Sequence, residues 1–204
     1  MARDKKGACE RAGAEATIVF VDESGFTQRP SVRRTWAPKG QTPIIRHHFN
    51  WKRLNAIGAI ACRADGSHAR LLLHLQEESV VSDSIVAYLQ MLHEQVDGPI
   101  VLLWDGLPAH RSKLVQEHIQ QQREWLTVER LPAYAPELNP VEYFWSVLKG
   151  KDVANFCAQT IAHIKEKLSA ATERISNTDI TCGFLRASGL FQVRTVATQS
   201  PESH

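Results

Sequence analysis

Two uninterrupted apolar runs dominate the hydrophobic pattern of the chain, and each is followed directly by an aspartate. They are Thr17–Val21 (TIVFV), before Asp22, and Ile100–Trp104 (IVLLW), before Asp105. Continuous runs of β-branched and aromatic residues predict strands that are buried on both faces. We expect each of these strands to end at its aspartate.

The segment between these runs is punctuated by turn residues and has the period of further strands. Segments 52–62 and 69–75 predict two strands joined by a turn at Ala64–Ser67, and a shorter strand is expected around Arg33–Ala37. Together with the first strand they form an antiparallel meander.

After residue 80 the period becomes helical. Ile85, Leu89, Leu92 and Val96 share one helical face, and Ser82 or Ser84 can cap its start. Further helices are expected over 112–125, 139–150 and 160–175, with a short strand at 126–130. A meander followed by alternating strands and helices predicts an α/β fold, a mixed sheet with helices on both faces.

Composition is typical of a globular protein, with 43% hydrophobic and 23% charged residues. No apolar run approaches the roughly 20 residues needed to span a bilayer, so no membrane contact is expected. The first 15 residues are polar, and the four cysteines are scattered, which favours a cytoplasmic protein. We expect a loose leader over 1–15, one domain over 16–194 and a flexible tail over 195–204.

Charge is unevenly distributed. From Ser24 to Ala64 the chain carries eight basic residues and no acidic one, whereas the rest of the chain is net acidic. Such segregation suggests a surface for a polyanion, although a solvated basic face without a partner would look the same.

The carboxylates point to a metal. The carboxyl ends of strands form the ligand crevice of open α/β sheets, so Asp22 and Asp105 are expected to face each other if their strands are neighbours. Two close carboxylates need a proton or a cation between them, and Mg²⁺ prefers oxygen ligands. Taken alone, an aspartate that follows a strand is more often just a turn or cap residue.

A third acid, Glu142, stands on the helix after the proline loop. Three carboxylates from three elements are the ingredients of a two-metal phosphoryl-transfer site. The alternative is a capping box, with Asn139 at the N-cap, Pro140 at N1 and Glu142 at N3. The nearby acids Glu23 and Glu137 also remain candidates for the site.

Three motifs resemble the DDE transposases of the mariner superfamily, and most closely the catalytic domain of its bacterial insertion-sequence branch. They are VDESGF at 21–26, LLWDGLPAHRS at 102–112 and LPAYAPELNPVEYFWSVLKG at 131–150. The resemblance covers about residues 17–190 and implies a ribonuclease-H-like fold. Where members of the family usually carry asparagine after the second aspartate, this chain has Gly106, which affects a hydrogen bond beside the site.

The resemblance also implies a mechanism: cutting of DNA at transposon ends and strand transfer into a new site, with Mg²⁺ (or Mn²⁺) in a two-metal site. It assigns the catalytic acids to Asp22, Asp105 and Glu142, with Asp22 as the bridging ligand. His110, five residues after Asp105, occupies a position where family members also carry histidine. It is expected at the rim of the site or on a phosphate, or else as a helix-start residue bonded to nearby backbone.

DNA is the partner that the resemblance implies, with a homo-oligomer forming on it. Phosphate contacts are expected from the basic segment, and Trp36 or Trp51 could stack on an unpaired base, although tryptophans are more commonly buried in the core. The candidates are Arg33, Arg34, Trp51, Lys52 and Arg53. A helix-turn-helix that reads the transposon ends is expected from an upstream reading frame. A silent DNA-binding remnant and another metal-dependent nuclease are the alternatives.

Overall fold

The computed structural model describes residues 16–46, 52–132, 135–176 and 179–191. The predicted leader at 1–15, the predicted tail at 195–204 and Trp51 lie outside the described residues. Within these ranges a five-stranded sheet has the order β3-β2-β1-β4-β5. Its strands are β1 (Thr17–Thr27), β2 (Arg53–Cys62), β3 (Arg70–Gln76), β4 (Ile100–Trp104) and β5 (Leu126–Arg130).

The central strand β1 has partners of different length on its two sides. It pairs with β2 in antiparallel fashion from Ile18 to Thr27, but its parallel pairing with β4 ends at Phe20. The expectation that the strand stops at Asp22 is therefore wrong, because β2 supplies hydrogen bonds for five more residues. Beyond Phe20 the β4 side of β1 is open, and this opening lies beside Asp22.

Helices cover both faces of the sheet, which confirms the predicted α/β layering. They are α1 (Ser82–Gln95), α2 (Lys113–Gln121), α3 (Pro140–Val147), α4 (Ile161–Ser176) and α5 (Ile180–Ala187). Side chains of β1 alternate between two buried clusters: Phe20 packs with α3, α4 and α5, whereas Val19 and Val21 pack with α1 and α2. Burial on both faces explains why the strands have continuous apolar sequences.

Several local features of the structure differ from the sequence predictions. The strand predicted around Arg33–Ala37 does not form: Ser31 makes an isolated bridge to Ala154, and the chain then runs exposed and without sheet partners to residue 46. Leu114, predicted to face inward, is exposed on α2. The helix predicted over 139–150 ends at Val147 and continues as a π-helical turn, and α5 was not predicted.

No helix in the part of the chain that the structure describes is long and apolar enough to cross a membrane.

Candidate active site

Asp22 and Asp105 lie at one edge of the sheet on neighbouring strands. The parallel register pairs Phe20 of β1 with Leu103 of β4, so each aspartate stands two residues beyond this last pair. Both side chains line an open cleft of about 730 Å³. The juxtaposition expected from the two apolar runs is therefore present.

Asp22 is partly buried, and a single indole holds one of its oxygens. Trp145 Nε1 donates to Asp22 Oδ2 over 2.8 Å. Burial, together with the negative charges of Glu142, Glu23 and Asp105, raises the pKa of Asp22 to about 7, although the indole hydrogen bond acts in the opposite direction. The carboxylate is thus poised to gain from a cation placed among these acids.

Glu142 reaches the same cleft from the first turn of α3. The Asn139 side chain caps this helix by accepting from the Val141 N–H, and the Asn139 backbone N–H donates to the Pro136 carbonyl. Since that N–H already has an acceptor, the capping box does not need the Glu142 carboxylate. Glu142 is exposed and free to bind a ligand in the cleft.

The remaining walls of the cleft are loops on either side of the three acids. They come from the segment after β4 and from the proline loop before α3, and the buried Asn139 contributes from the helix cap. The lining residues are Gly106, Leu107, Pro108, Arg111, Leu131, Pro132, Ala135 and Pro136. Arg111 is the basic side chain among them, so an anionic substrate would meet one positive charge beside the carboxylates.

His110 lies behind Asp105, not at the rim. Its ring is 1% exposed, stacked on Trp104 with centroids 4.0 Å apart, and so it is not placed to contact a phosphate. Nε2 lies 2.9 Å from Glu23 Oε1 and Nδ1 lies 3.1 Å from Asp105 Oδ1. Nδ1 also lies 3.2 Å from the Asp105 carbonyl oxygen, which matches the expected bond to nearby backbone.

These contacts set the charges of the cluster. Burial lowers the pKa of His110, but its bonds to Asp105 and Glu23 outweigh this and raise the pKa of His110 to about 9. Burial likewise raises the pKa of Asp105, yet the His110 hydrogen bond and the Leu107 N–H leave the pKa of Asp105 lowered overall. At neutral pH a positive imidazolium therefore lies between two carboxylates.

Two groups of side chains offer metal ligands. Asp22, Asp105 and Glu142 present carboxylates to the open cleft, and hard oxygen donors suit Mg²⁺ or Mn²⁺. Ligand atoms of Glu23, Asp105 and His110 also lie within 4.8 Å of one another. In the second group the protonated His110 already supplies one positive charge between the two acids, whereas in the cleft burial and the neighbouring acids raise the pKa of Asp22, and a cation would favour its ionised form.

The basic residues that the sequence suggested as phosphate contacts are exposed on the surface of the domain. Arg33 and Arg34 are exposed, and both main-chain hydrogen bonds of Arg33 are made to the side chain of Asn155. Lys52 and Arg53 are exposed at the start of β2, and Trp36 is fully exposed. The Arg53 guanidinium lies against Gly25, where a Cβ on residue 25 would displace it.

Sequence reasoning missed two residues of this site, Trp145 and Gly58. Trp145 lies three residues after Glu142, so helical spacing puts both on one side of α3. Gly58 faces Asp22 across the β1–β2 ladder and leaves space for the indole. A glycine inside a buried strand is the signal that was available, because it often marks a close approach.

The fold and the cleft together define a class of protein. In this class two strands of a mixed sheet and an adjoining helix bring three carboxylates into one cleft. A model of the DDE superfamily endonuclease family matches residues 17–162. The match spans most of the chain, and the chain belongs to this family. Among curated proteins, no sequence matches the chain.

Solved structures share the fold at low sequence identity. A Mos1 transposase paired-end complex with left transposon end is 18% identical with a TM-score of 0.61, and a mariner Mos1 paired-end complex with Mg is 20% identical with a TM-score of 0.60. These matches cover 91% of this chain and 57% of each Mos1 chain. The catalytic domain of Mos1 mariner transposase is 17% identical, with a TM-score of 0.57, 91% of this chain and 85% of that chain covered.

These matches confirm the predicted ribonuclease-H-like mixed sheet. The chain spans a little over half the length of the transposase chains in the DNA-bound complexes.

Proposed function

We propose that this chain is the catalytic domain of a cut-and-paste DNA transposase that performs metal-dependent strand cleavage and strand transfer. One observation carries the proposal: Asp22, Asp105 and Glu142, from three separate elements, line a single open cleft. Membership of the DDE endonuclease family and the shared fold with a transposase that is solved on transposon-end DNA support it.

The chemistry assigned to the cleft is an in-line displacement at phosphorus. Water or a 3′-hydroxyl forms the new P–O bond as the P–O3′ bond of the DNA strand breaks, and the leaving 3′-oxygen takes up a proton. Two Mg²⁺ ions, when bound, supply activation of the attacking oxygen and stabilisation of the leaving oxygen.

Different residues of this chain would bind the metal ions, contact the phosphate and position the ligands. Asp22 would serve as the bridging ligand, with Asp105 and Glu142 each holding one ion. Arg111 lines the cleft as a positive partner for a phosphate. His110, paired with Glu23, holds Asp105 in position, and neither His110 nor Glu23 lines the cleft.

The proposal also covers the branch of the family, the DNA contacts, the partners and the place of action. The three sequence motifs together are most similar to those of the bacterial insertion-sequence branch, and the exposed Arg33, Arg34, Lys52 and Arg53 would hold DNA phosphates. A homo-oligomer on DNA, an upstream-frame helix-turn-helix partner and a cytoplasmic site of action at the nucleoid complete it.

The test compares two glutamates on either side of the α3 cap. Glu142→Gln keeps shape and volume but replaces a carboxylate with a poor ligand for a hard cation. Glu137→Gln makes the same change in the short helical turn before α3, on a residue that does not line the cleft. Each variant of the full chain is assayed for Mg²⁺- or Mn²⁺-dependent nicking of supercoiled plasmid, and for end cleavage and transfer when fused to a DNA-reading domain.

We expect Glu142→Gln to fold normally and lose activity, while Glu137→Gln retains most of it. An active Glu142→Gln with a dead Glu137→Gln would show that the third ligand is misassigned. Metal-dependent nicking without any strand transfer by the fused protein would indicate a nuclease of another kind. No cleavage by the wild type under any of these conditions would favour a silent, DNA-binding remnant.

A further inference from the structure

We propose that Trp145 is a positioning residue for the metal site: its indole N–H fixes Oδ2 of Asp22 so that Oδ1 is turned to the cation. The inference rests on the proposed function, because it concerns the ligand that the function assigns to the bridging position. Trp145 itself is not among the residues that line the cleft.

The contact is a specific one. Trp145 Nε1 and Asp22 Oδ2 are 2.8 Å apart, and the residue is 2% exposed, so water does not compete for the N–H. An indole is a donor only, with a single N–H and no acceptor lone pair. It can therefore orient a carboxylate without competing with that carboxylate for a cation. A carboxylate with one oxygen held in this way has fewer orientations to lose when the metal binds.

Gly58 creates the space in which the indole lies. It stands directly opposite Asp22 in the antiparallel ladder, and a Cβ at this position would lie 2.6 Å from Trp145 Cζ2 and 2.7 Å from Cη2. The ring is also held by the Phe26 side chain, at an edge-on centroid distance of 5.9 Å. Packing on several sides gives the indole one orientation, and that orientation aims its N–H at Asp22.

The helix couples two ligands through this contact. Glu142 and Trp145 are separated by three residues on α3, so they lie on neighbouring positions of one helical face. Packing of α3 on the sheet therefore places the Glu142 carboxylate in the cleft and, at the same time, places the Trp145 N–H against Asp22. Loss of the indole N–H should loosen Asp22 while leaving Glu142 in place.

The key variant is Trp145→Phe, which removes the N–H and keeps an aromatic ring over Gly58. Hydrogen-bond partners of metal ligands typically contribute about 10- to 100-fold in metal affinity or activity. We expect an increase of about 10-fold or more in the Mg²⁺ concentration for half-maximal plasmid nicking, with the rate at saturating Mg²⁺ much less affected. Calorimetric titration of the same protein with Mn²⁺ should show a matching loss of affinity without any substrate present.

Trp125→Phe is the matched control. Trp125 Nε1 also donates a 2.8 Å hydrogen bond, but to Oε1 of Gln122, the residue directly after α2. The Trp125 ring stacks on His93. This variant loses an indole donor of the same geometry away from the acids. Its Mn²⁺ affinity and Mg²⁺ requirement should equal those of the wild type.

A second measurement uses the intact protein, in case Trp145→Phe fails to fold. The chain has five tryptophans, so ¹⁵N spectra of the wild type contain up to five indole signals, and single Phe variants of the other four assign the Trp145 signal by elimination. Paramagnetic Mn²⁺ should broaden the Trp145 indole signal first, and Asp22→Asn should abolish that selective broadening. Diamagnetic Mg²⁺ should leave the Trp145 indole proton at the downfield position of a hydrogen-bonded N–H.

The outcomes separate this inference from the proposed function. Selective broadening at Trp145, with unchanged Mn²⁺ affinity in a folded Trp145→Phe, would overturn the positioning role and leave the metal site standing. Release of the indole proton by Mg²⁺, seen as an upfield shift, would overturn it as well. Broadening of other indoles but not of Trp145 would place the metal away from Asp22, and the proposed function would then fail too.

Discussion

The side chain of Asn139 makes two opposite hydrogen bonds that tie α3 to the residue before Asp22. Its Nδ2 donates to the Val21 carbonyl oxygen over 3.0 Å, and its Oδ1 accepts from the Val141 N–H over 3.1 Å. The residue is buried, so both bonds are shielded from water. One amide therefore caps the helix that carries Glu142 and fixes that helix on the strand that carries Asp22.

Asn139→Asp should separate these two tasks. An aspartate still accepts from the Val141 N–H, but it has no donor for Val21 and leaves a buried carbonyl oxygen unpaired at a cost of about 1–3 kcal/mol. We expect a loss of that size in the free energy of unfolding, measured by urea denaturation, together with weaker metal-dependent nicking. Asn55→Asp, which removes an exposed amide donor to the Glu78 carbonyl, should cost much less. Equal losses in the two variants would contradict the role given to Asn139.

Asp22 should make the metal-free protein less stable as the pH rises. Its pKa is raised in the fold, from 3.8 to about 7, so between these values the folded state holds a proton that the unfolded chain has released. The stability contributed below pH 3.8 is therefore lost progressively up to about pH 7. At about 1.4 kcal/mol per pKa unit the loss amounts to roughly 4 kcal/mol.

Asp22→Asn removes this dependence. Without divalent cations it should be more stable than the wild type at pH 8 and similar at pH 4, as measured by urea denaturation at each pH. Mg²⁺ should raise the melting temperature of the wild type at pH 8 and leave that of Asp22→Asn nearly unchanged. Stabilisation of both proteins by Mg²⁺ to the same extent would place the cation elsewhere.

Glu23 and His110 should be energetically coupled. The Glu23 side chain is 12% exposed, and His110→Gln leaves it without its positive partner, which costs about 3–5 kcal/mol for a buried pair. Adding Glu23→Gln should recover part of that loss, giving a coupling of about 1 kcal/mol or more in a double-mutant cycle. Additive losses at pH 6 would contradict the ion pair.

The pH dependence of this coupling has a definite sign. Because the pKa of His110 is raised from 6.5 to about 9, the pair contributes fully below pH 6.5 and its contribution disappears as the pH rises through 9. The double-mutant cycle repeated at pH 10 should therefore give a much smaller coupling.

DNA binding by this chain should be salt-dependent and insensitive to sequence, with Arg33 and Arg34 among the phosphate contacts. Each phosphate contact lowers the slope of log K against log salt by about 0.9. Replacing both arginines by glutamine should therefore make the slope shallower by roughly 2, as measured by fluorescence anisotropy over a range of salt concentrations. Lys113→Gln, on the exposed side of α2, is the control of equal charge type. Tight, salt-tolerant binding to one sequence would contradict this picture.

The sequence by itself determined the layered fold and the acids that share the cleft. Strands buried on both faces require continuous apolar runs, and the polar residue that follows each run lies on the carboxyl side of it, where α/β sheets bind ligands. The two runs therefore predicted that Asp22 and Asp105 lie together on the condition that their strands are neighbours, and the sheet order meets that condition. The Asn-Pro start of α3 similarly located Glu142, because helix caps are local signals that depend on a few neighbouring residues.

Only the tertiary structure decided the interactions that reach across elements. The strand expected at Arg33–Ala37 has the right residue types but no neighbour to pair with, and β1 continues past Asp22 because β2 runs beside it. His110 lies behind the cleft because its ring is hydrogen-bonded to the carboxylate of Glu23, which is 87 residues earlier in the chain. Trp145 and Gly58 meet at Asp22 only when α3 docks on the sheet, and contacts between residues so distant in the chain leave no periodic pattern in the sequence.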